Sequence, residues 1–337
     1  MERNVAPMET ARRTHPEAAG HPSLRLADLL VQAKLPVFAV LDGAKFDDLP
    51  YSLMRLGLVH RPLYVDRGAQ TRDFDQTAPR LVWLDQTADS PDWSVDRPCS
   101  PQVVAQVLDM LEKNLSAGVF WICAAGGNSL YRHLRRINMV RVPASSLPED
   151  SRPRHQSSDW QAMLFRHADA NVLTQVLPCL GEARRSSFLG PAQAIHFAPD
   201  TVWSDDELVT VSAAAEPGTS GMLTLDAGIL ACIEARRKQR LGHFVRAELR
   251  EYRDQVPDYE RIIEAACRRA IAYGFETIED VLTFARTECD FGPRFEMMPQ
   301  HSEALYYLSQ STKAPAERIY YARRACLEAK DWNGTSM

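Results

Sequence analysis

Val37 to Leu41 reads VFAVL, five apolar residues with no polar alternation, and Asp42-Gly43 follows at once. A strand without a two-residue alternation is one covered on both faces. This stretch therefore commits the chain to a sheet with helices packed against it. The runs RLVWLD at 80–85 and GVFWIC at 118–123 read as further strands of the same kind. A helix is predicted ahead of the first strand, since Leu26, Leu29, Leu30 and Ala33 recur at helical spacing after Ser23, and Pro36 ends it.

The alternation continues. Asp47 is placed to cap a short helix carrying Leu49, Leu53, Met54 and Leu56, and a strand is expected near 62–65. Ser100-Pro101 opens a helix with Val104, Val107, Leu108, Leu111 and Leu115 on one face. A small-residue turn, AAGGNS, leads into a helix at about 130–137 capped by Asn128 or Ser129. NMVRV and AMLFR then read as paired strands, joined by ASSLPEDSRPRHQSSDW, a connection long enough to be a contact loop. Asp169 can cap a helix bearing Val172, Leu173, Val176 and Leu177, and AIHFA at 194–198 is a last strand.

Beyond that the signal is helical. Thr224 is placed to cap a long helix interrupted by the basic patch RRKQR. Asp258 opens a second helix, Thr277 to Asp280 resembles a capping box, and a final helix runs through Ala304 to Leu308. The fold class expected is α/β, a mixed sheet with helices packed on its faces, followed by an α-helical C-terminal lobe. The divisions expected are a flexible tail at 1–22, an α/β lobe at 23–198, a linker at 199–222, a helical lobe at 223–325 and a polar tail at 326–337.

Bulk properties exclude more than they propose. Over 337 residues, 45% are hydrophobic and 25% charged, and a net charge of −5 does not suggest a dedicated nucleic-acid binder. Seven scattered cysteines with no CxxC pair argue against a disulfide framework and a thiolate metal site. The N-terminal stretch has no apolar core of the kind a signal peptide needs, and the apolar runs are too short for a membrane helix. A cytoplasmic protein is expected, with no membrane or nucleic-acid partner.

Catalytic constellations fail on spacing. Ser129 in GGNSLY stands where a nucleophile elbow would put its serine, but Tyr131 occupies the second glycine position of GxSxG, and no Gly-Lys-Ser/Thr makes a P-loop. No HExxH or close His/Cys grouping offers a metal site. Arg166, His167 and Asp169 could form an acid/base cluster, although the aspartate fits better as a helix cap and the arginine as a structural hydrogen-bond donor. The runs RHLRR and RRKQR fit a solvated helix face, and an acidic protein surface suits them better than nucleic acid. No catalytic, cofactor-binding or metal-binding residue is assigned, and no cofactor is expected.

Taken in order, VFAVLDGAKF, APRLVWLD, GVFWIC with LYRHLRRINMVRVP, MLFRHADANVLTQVLP and SFLGPA resemble the successive blocks of the family called domain of unknown function 4123. IAYGFETIEDVLTFARTECDFGPRF resembles the helical extension such proteins often carry. The chain departs from the family pattern at His167-Ala168 before Asp169-Ala170, at Arg80 after Pro79, and in a longer loop after Pro143. The resemblance implies a non-enzymatic chaperone or adaptor of bacterial type VI secretion, which binds a cognate effector and helps load it onto the spike protein. It marks Asp42, Gly43, Pro79, Arg166 and Asp169 as structural motif positions; physically, a short carboxylate followed by glycine suits a strand end where backbone donors need an acceptor and the chain needs φ > 0. Contacts with the effector are expected at Trp160, Arg236, Arg237, Phe244, Phe291 and Phe295. The competing readings are a hydrolase using Ser129 or the Arg166–Asp169 cluster, and a nucleic-acid adaptor.

Overall fold

The computed structural model describes residues 21–64, 76–87, 96–147, 159–213, 222–275 and 277–334. Residues 1–20 of the tail expected at 1–22 and most of the loop between Pro143 and Trp160 lie outside these ranges, while Pro22 already opens the first helix. The strands are β1 (Val37–Leu41), β2 (Leu58–Pro62), β3 (Arg80–Thr87), β4 (Gly118–Ile122), β5 (Met139–Pro143), β6 (Trp160–Leu164), β7 (Ala194–Phe197), β8 (Val209–Ser212) and β9 (Leu223–Thr224). The helices are α1 (Pro22–Gln32), α2 (Leu49–Arg55), α3 (Pro101–Met110), α4 (Gly127–Ile137), α5 (Ala170–Val176), α6 (Glu182–Leu189), α7 (Ala227–Glu248), α8 (Tyr259–Ala272), α9 (Ile278–Phe291), α10 (Ser302–Leu308) and α11 (Pro315–Gly334).

The fold is α/β, followed by a helical C-terminal lobe. Six strands form one antiparallel sheet in the order β2-β3-β1-β4-β7-β8, and β6-β5-β9 form a smaller sheet in which β5 and β9 run parallel. All five residues of β1 are buried, as its unbroken apolar run requires. One face of the large sheet packs Val37, Ala39, Leu41 and Phe120 against α1, α2 and α3. The other packs Phe38, Val40, Trp83 and Trp121 against α4, α5, α6 and the small sheet. Burying each valine, leucine or phenylalanine among them stabilises by roughly 1.5–3 kcal/mol.

Several expected boundaries move. The strand expected at 62–65 is β2 at 58–62, and Asp48, one residue after Asp47, caps α2 by accepting from Tyr51 N. The stretch read as a linker carries β8, which completes the large sheet by pairing with β7. Thr224 does not cap a helix. It lies in β9, and Asp226 caps α7 through Ile229 N at 3.0 Å. Helix α7 runs unbroken through the basic patch, and α11 carries on to Gly334, into the stretch read as a polar tail. Helix α4 is not capped by Asn128 or Ser129. Gly126 holds the cap position at φ 84°, and Asp96 Oδ2 accepts from Gly127 N at 3.0 Å while Trp83 Nε1 donates to Asp96 Oδ1. A polar loop residue distant in sequence thus does the work expected of a local hydroxyl. Among the described residues no helix is long and apolar enough to cross a membrane.

The scattered cysteine spacing that argues against a disulfide framework misses one pair. Cys179 and Cys232 form a disulfide across a separation of 53 residues, with Cα atoms 5.9 Å apart. Spacing along the chain could not reveal it, because packing of α7 on the turn Leu177–Cys179 brings the two together. The same helix serves both lobes: Ile229, Leu230 and Ile233 join the α/β core, whereas Leu241, Val245 and Leu249 join the helical core. Opening a loop of this length is expected to cost up to ~4 kcal/mol in the chain-entropy limit. Urea titrations with and without reductant, repeated on Cys232→Ser, measure it. Identical midpoints for reduced and oxidised protein would show that the bond contributes nothing to stability.

Candidate functional site

The motif residues converge on one cluster built around two buried carboxylates, Asp42 and Asp169. Asp42 ends β1 and accepts from Ala44 N at 3.2 Å, the backbone donor its position calls for. Gly43 does not have a positive φ. A Cβ there would stand 2.5 Å from the Ala78 carbonyl oxygen, so the glycine permits close backbone approach and not a left-handed turn. Pro79, buried beside it in the chain, accepts from Leu63 N at 2.9 Å.

From the far side of the small sheet, Arg166 reaches back to this strand end. Its Nη2 pairs with Asp42 Oδ2 and stands 3.4 Å from Asp169 Oδ2. Asp169 caps α5 through Asn171 N at 3.0 Å and also accepts from Lys45 Nζ at 2.8 Å. Lys45 donates in turn to Ser116 Oγ at 2.9 Å. Two buried carboxylates thus face two cations, and the charges balance. Nearby, burial and then the Asp42 charge push the Tyr64 hydroxyl up to about 12. The cluster ties the end of β1 to the turn that leaves β6, so it sets where the small sheet sits.

His167 takes no part in it. Its ring is buried, and Nε2 lies 2.6 Å from Asn138 Oδ1, an acceptor, so Nε2 carries the proton and donates. Burial, then the neighbouring His133, pushes its pKa down to about 3. Its Nε2 is thus committed to Asn138, not to Arg166 or Asp169. Ser129 lies half-buried on α4, and His133, one turn along, directs Nε2 to the Phe188 carbonyl at 2.7 Å. That contact turns the imidazole to a structural partner instead of a nucleophile.

The small sheet presents the more telling surface. In the β5–β6 ladder, Val140 and Val142 point into the core with Leu223, while Met139 pairs with Leu164, Arg141 with Ala162 and Pro143 with Trp160 on the opposite face. That outward face is open and apolar around one exposed cation, Arg141: Leu164 is 53% exposed and Trp160 39%. Met222, one residue before β9, adds another exposed thioether. Clustered exposed apolar groups of this kind mark interaction surfaces more often than isolated ones do. Trp160 was expected as a contact; Leu164, Met139 and Met222 were not. Their signal was available in AMLFR, whose consecutive apolar residues leave one of them on each face of a two-sided strand.

The other expected contacts divide. Arg236 is exposed on α7 and Arg237 lies 3.9 Å from Glu234. Phe244 and Phe291 are half-buried against the helical core, Phe291 edge-on to His301. Phe295 is corrected: it is wholly buried, 5.2 Å from the Phe284 ring, and offers no surface. Arg294, immediately before it, holds a left-handed backbone at φ 57°.

Asp169→Ala is expected to destabilise by about 3–5 kcal/mol, because it strands the largely buried Lys45 as well as removing a cap. The double variant Lys45→Met/Asp169→Ala should recover part of that loss, as a double-mutant cycle from denaturation curves would show. For His167 the sign is that of a base with a depressed folded pKa. The unfolded chain, titrating near ~6.5, takes up the proton first. Stability present above pH 6.5 is therefore lost as pH falls from 6.5 toward about 3, by up to ~1.4 kcal/mol per pH unit. Denaturation at pH 7, 5.5 and 4 should give His167→Gln the shallower decline, and equal slopes would count against this assignment.

Residues 37–187, from the start of β1 into α6, match the family model described as Domain of unknown function (DUF4123). Comparison with curated proteins and with solved structures gives no match.

Proposed function

We propose, from the premise that residues 37–187 belong to the DUF4123 family, that this chain is a cytoplasmic, non-enzymatic adaptor of bacterial type VI secretion. In this reading it holds a cognate effector and helps pass it to the spike protein. The observation that carries the reading is the open face of β5 and β6, where exposed Leu164 and Trp160 stand beside half-buried Met139, with exposed Met163 on the opposite side of the same edge strand and only Val140, Val142 and Leu223 turned into the core. Such a face stabilises an effector by covering apolar surface that the effector would otherwise present to water. Rigid aromatic and aliphatic anchors on a sheet suit it to that task better than a loop would.

The cluster of Asp42, Arg166, Asp169 and Lys45 serves this function indirectly. It holds the turn after Leu164 against the end of β1, so the anchors stand on a fixed support. The two lobes share α7, which offers a route by which an effector bound across both would be held in one orientation.

Leu164→Glu places a carboxylate beside Met139 at one end of the open face, and at an exposed position its effect on stability is expected to stay within about 0.5 kcal/mol. Co-expressed with the effector encoded beside it, the parent protein should hold that effector through size-exclusion chromatography, and Leu164→Glu should release it while melting at an unchanged temperature. Separate elution of the parent protein and the effector, with no gain in effector solubility, would defeat the adaptor reading.

A further inference from the structure

The helical lobe carries a groove that the sheet face does not explain. Helices α7 and α8 pack side by side, and between them lies a cavity of about 460 Å³ lined by Lys238, Gly242 and Arg246 from α7 and by Cys267, Arg268 and Ile271 from α8. A smaller hollow of about 80 Å³, bounded by Glu234, Leu241 and Phe275, shares Lys238 and Ile271 with it. Together they follow α7 from Glu234 to Arg246, about 18 Å of helix. Lining positions recur three or four residues apart on both helices, the spacing by which a helix laid along a groove is met.

The chemistry of the lining selects the occupant. The floor is apolar, since Ile271 and Leu241 border it and burial pushes the Cys267 thiol up to about 11, leaving it uncharged. The walls are basic in excess: Arg237, Lys238, Arg246 and Arg268 against Glu234 and Glu264. Glu234 is engaged by Lys238 at 3.3 Å, and Arg246 by the exposed Glu260 at 3.5 Å. Arg268 is exposed and makes no ion pair among the described residues. Gly242 sits inside a 22-residue helix, where glycine is unfavourable relative to alanine. Packing does not impose it, because a Cβ there would meet nothing nearer than Arg246 Nη1 at 3.7 Å. What the glycine does keep is a low floor, over which another backbone can pass closely.

We infer that the α7–α8 groove binds an acidic amphipathic helix of a partner protein, its apolar stripe seated over Gly242, Cys267 and Ile271 and its carboxylates set against Arg268 and Lys238. This deepens the adaptor reading by naming a second contact and the chemistry it takes, and it rests on that reading only for the partner's identity.

The probe is a fluorescein-labelled 14-residue peptide with leucines at helical spacing and flanking glutamates, titrated by anisotropy into the full chain beside the same peptide carrying lysines. The acidic peptide is expected to bind and the lysine peptide to bind at least tenfold more weakly. Arg268→Glu and Lys238→Glu should each weaken the acidic peptide about tenfold, with binding falling as salt rises. Gly242→Leu fills the groove and should abolish binding without lowering the thermal midpoint, which keeps the test independent of misfolding. Equal binding of the two peptides, or no response to Arg268→Glu and Gly242→Leu, overturns the groove. With the co-expressed effector, a complex that survives Gly242→Leu and Arg268→Glu but not Leu164→Glu overturns the groove and leaves the adaptor reading standing. An effector that never binds the parent protein removes the adaptor reading, and peptide titration alone then decides the groove.

Discussion

Arg166 stands between Asp42 and Asp169, and Lys45 closes the set from the first turn after β1. Each carboxylate is buried and each would be costly alone, so the four groups hold one another in place more firmly than any pair in water would. Geometrically they bind three distant parts of the chain: the end of β1, the Ser116 turn that precedes β4, and the junction of β6 with α5. The small sheet owes its attitude toward the large one to this lock. Its apolar inner face then completes the core, and its outer face is left to meet something else.

The coupling between lobes has a different physical basis. Helix α7 changes its neighbours along its length, so one half belongs to the α/β core and the other to the helical core. The Cys179–Cys232 bond fastens its first half to the turn after α5. Within the helical lobe, Arg269 answers two buried carboxylates, Glu288 and Glu296, and its guanidinium lies over the Phe284 ring. Burial pushes Glu288 up from the ordinary carboxylate range despite that partner. Both lobes thus use an arginine to bring buried acids into register, one at a sheet end and one among helices.

The residues foreseen by local chemistry are those whose partners are local. Asp169 at the start of α5, Thr277 accepting from Asp280 N, and the fully buried β1 follow from capping and from unbroken apolar patterning. Asp42 was read as an acceptor for backbone donors, and Ala44 N is one; its pairing with Arg166, 124 residues away, has no local signature. The cap of α4 by Asp96 and the burial of Phe295 escaped for the same reason. On the surface, Trp160 stood out as an aromatic near a long loop, whereas Leu164 and Met139 became a patch only when the β5–β6 register set them side by side.

By itself the sequence determined the buried strands β1, β3 and β4 and most of the helices, that the first part is a sheet sheathed by helices, and that a helical extension follows. These are consequences of periodicity and capping, which act over a few residues. Tertiary structure alone decided that β8 completes the large sheet, that Cys179 meets Cys232, that four motif charges share one site, and that α7 and α8 leave a basic groove with an apolar floor. Those outcomes depend on which surfaces are buried against which across long separations in the chain. Ion pairing and burial are properties of that final packing, and no short stretch of residues contains them.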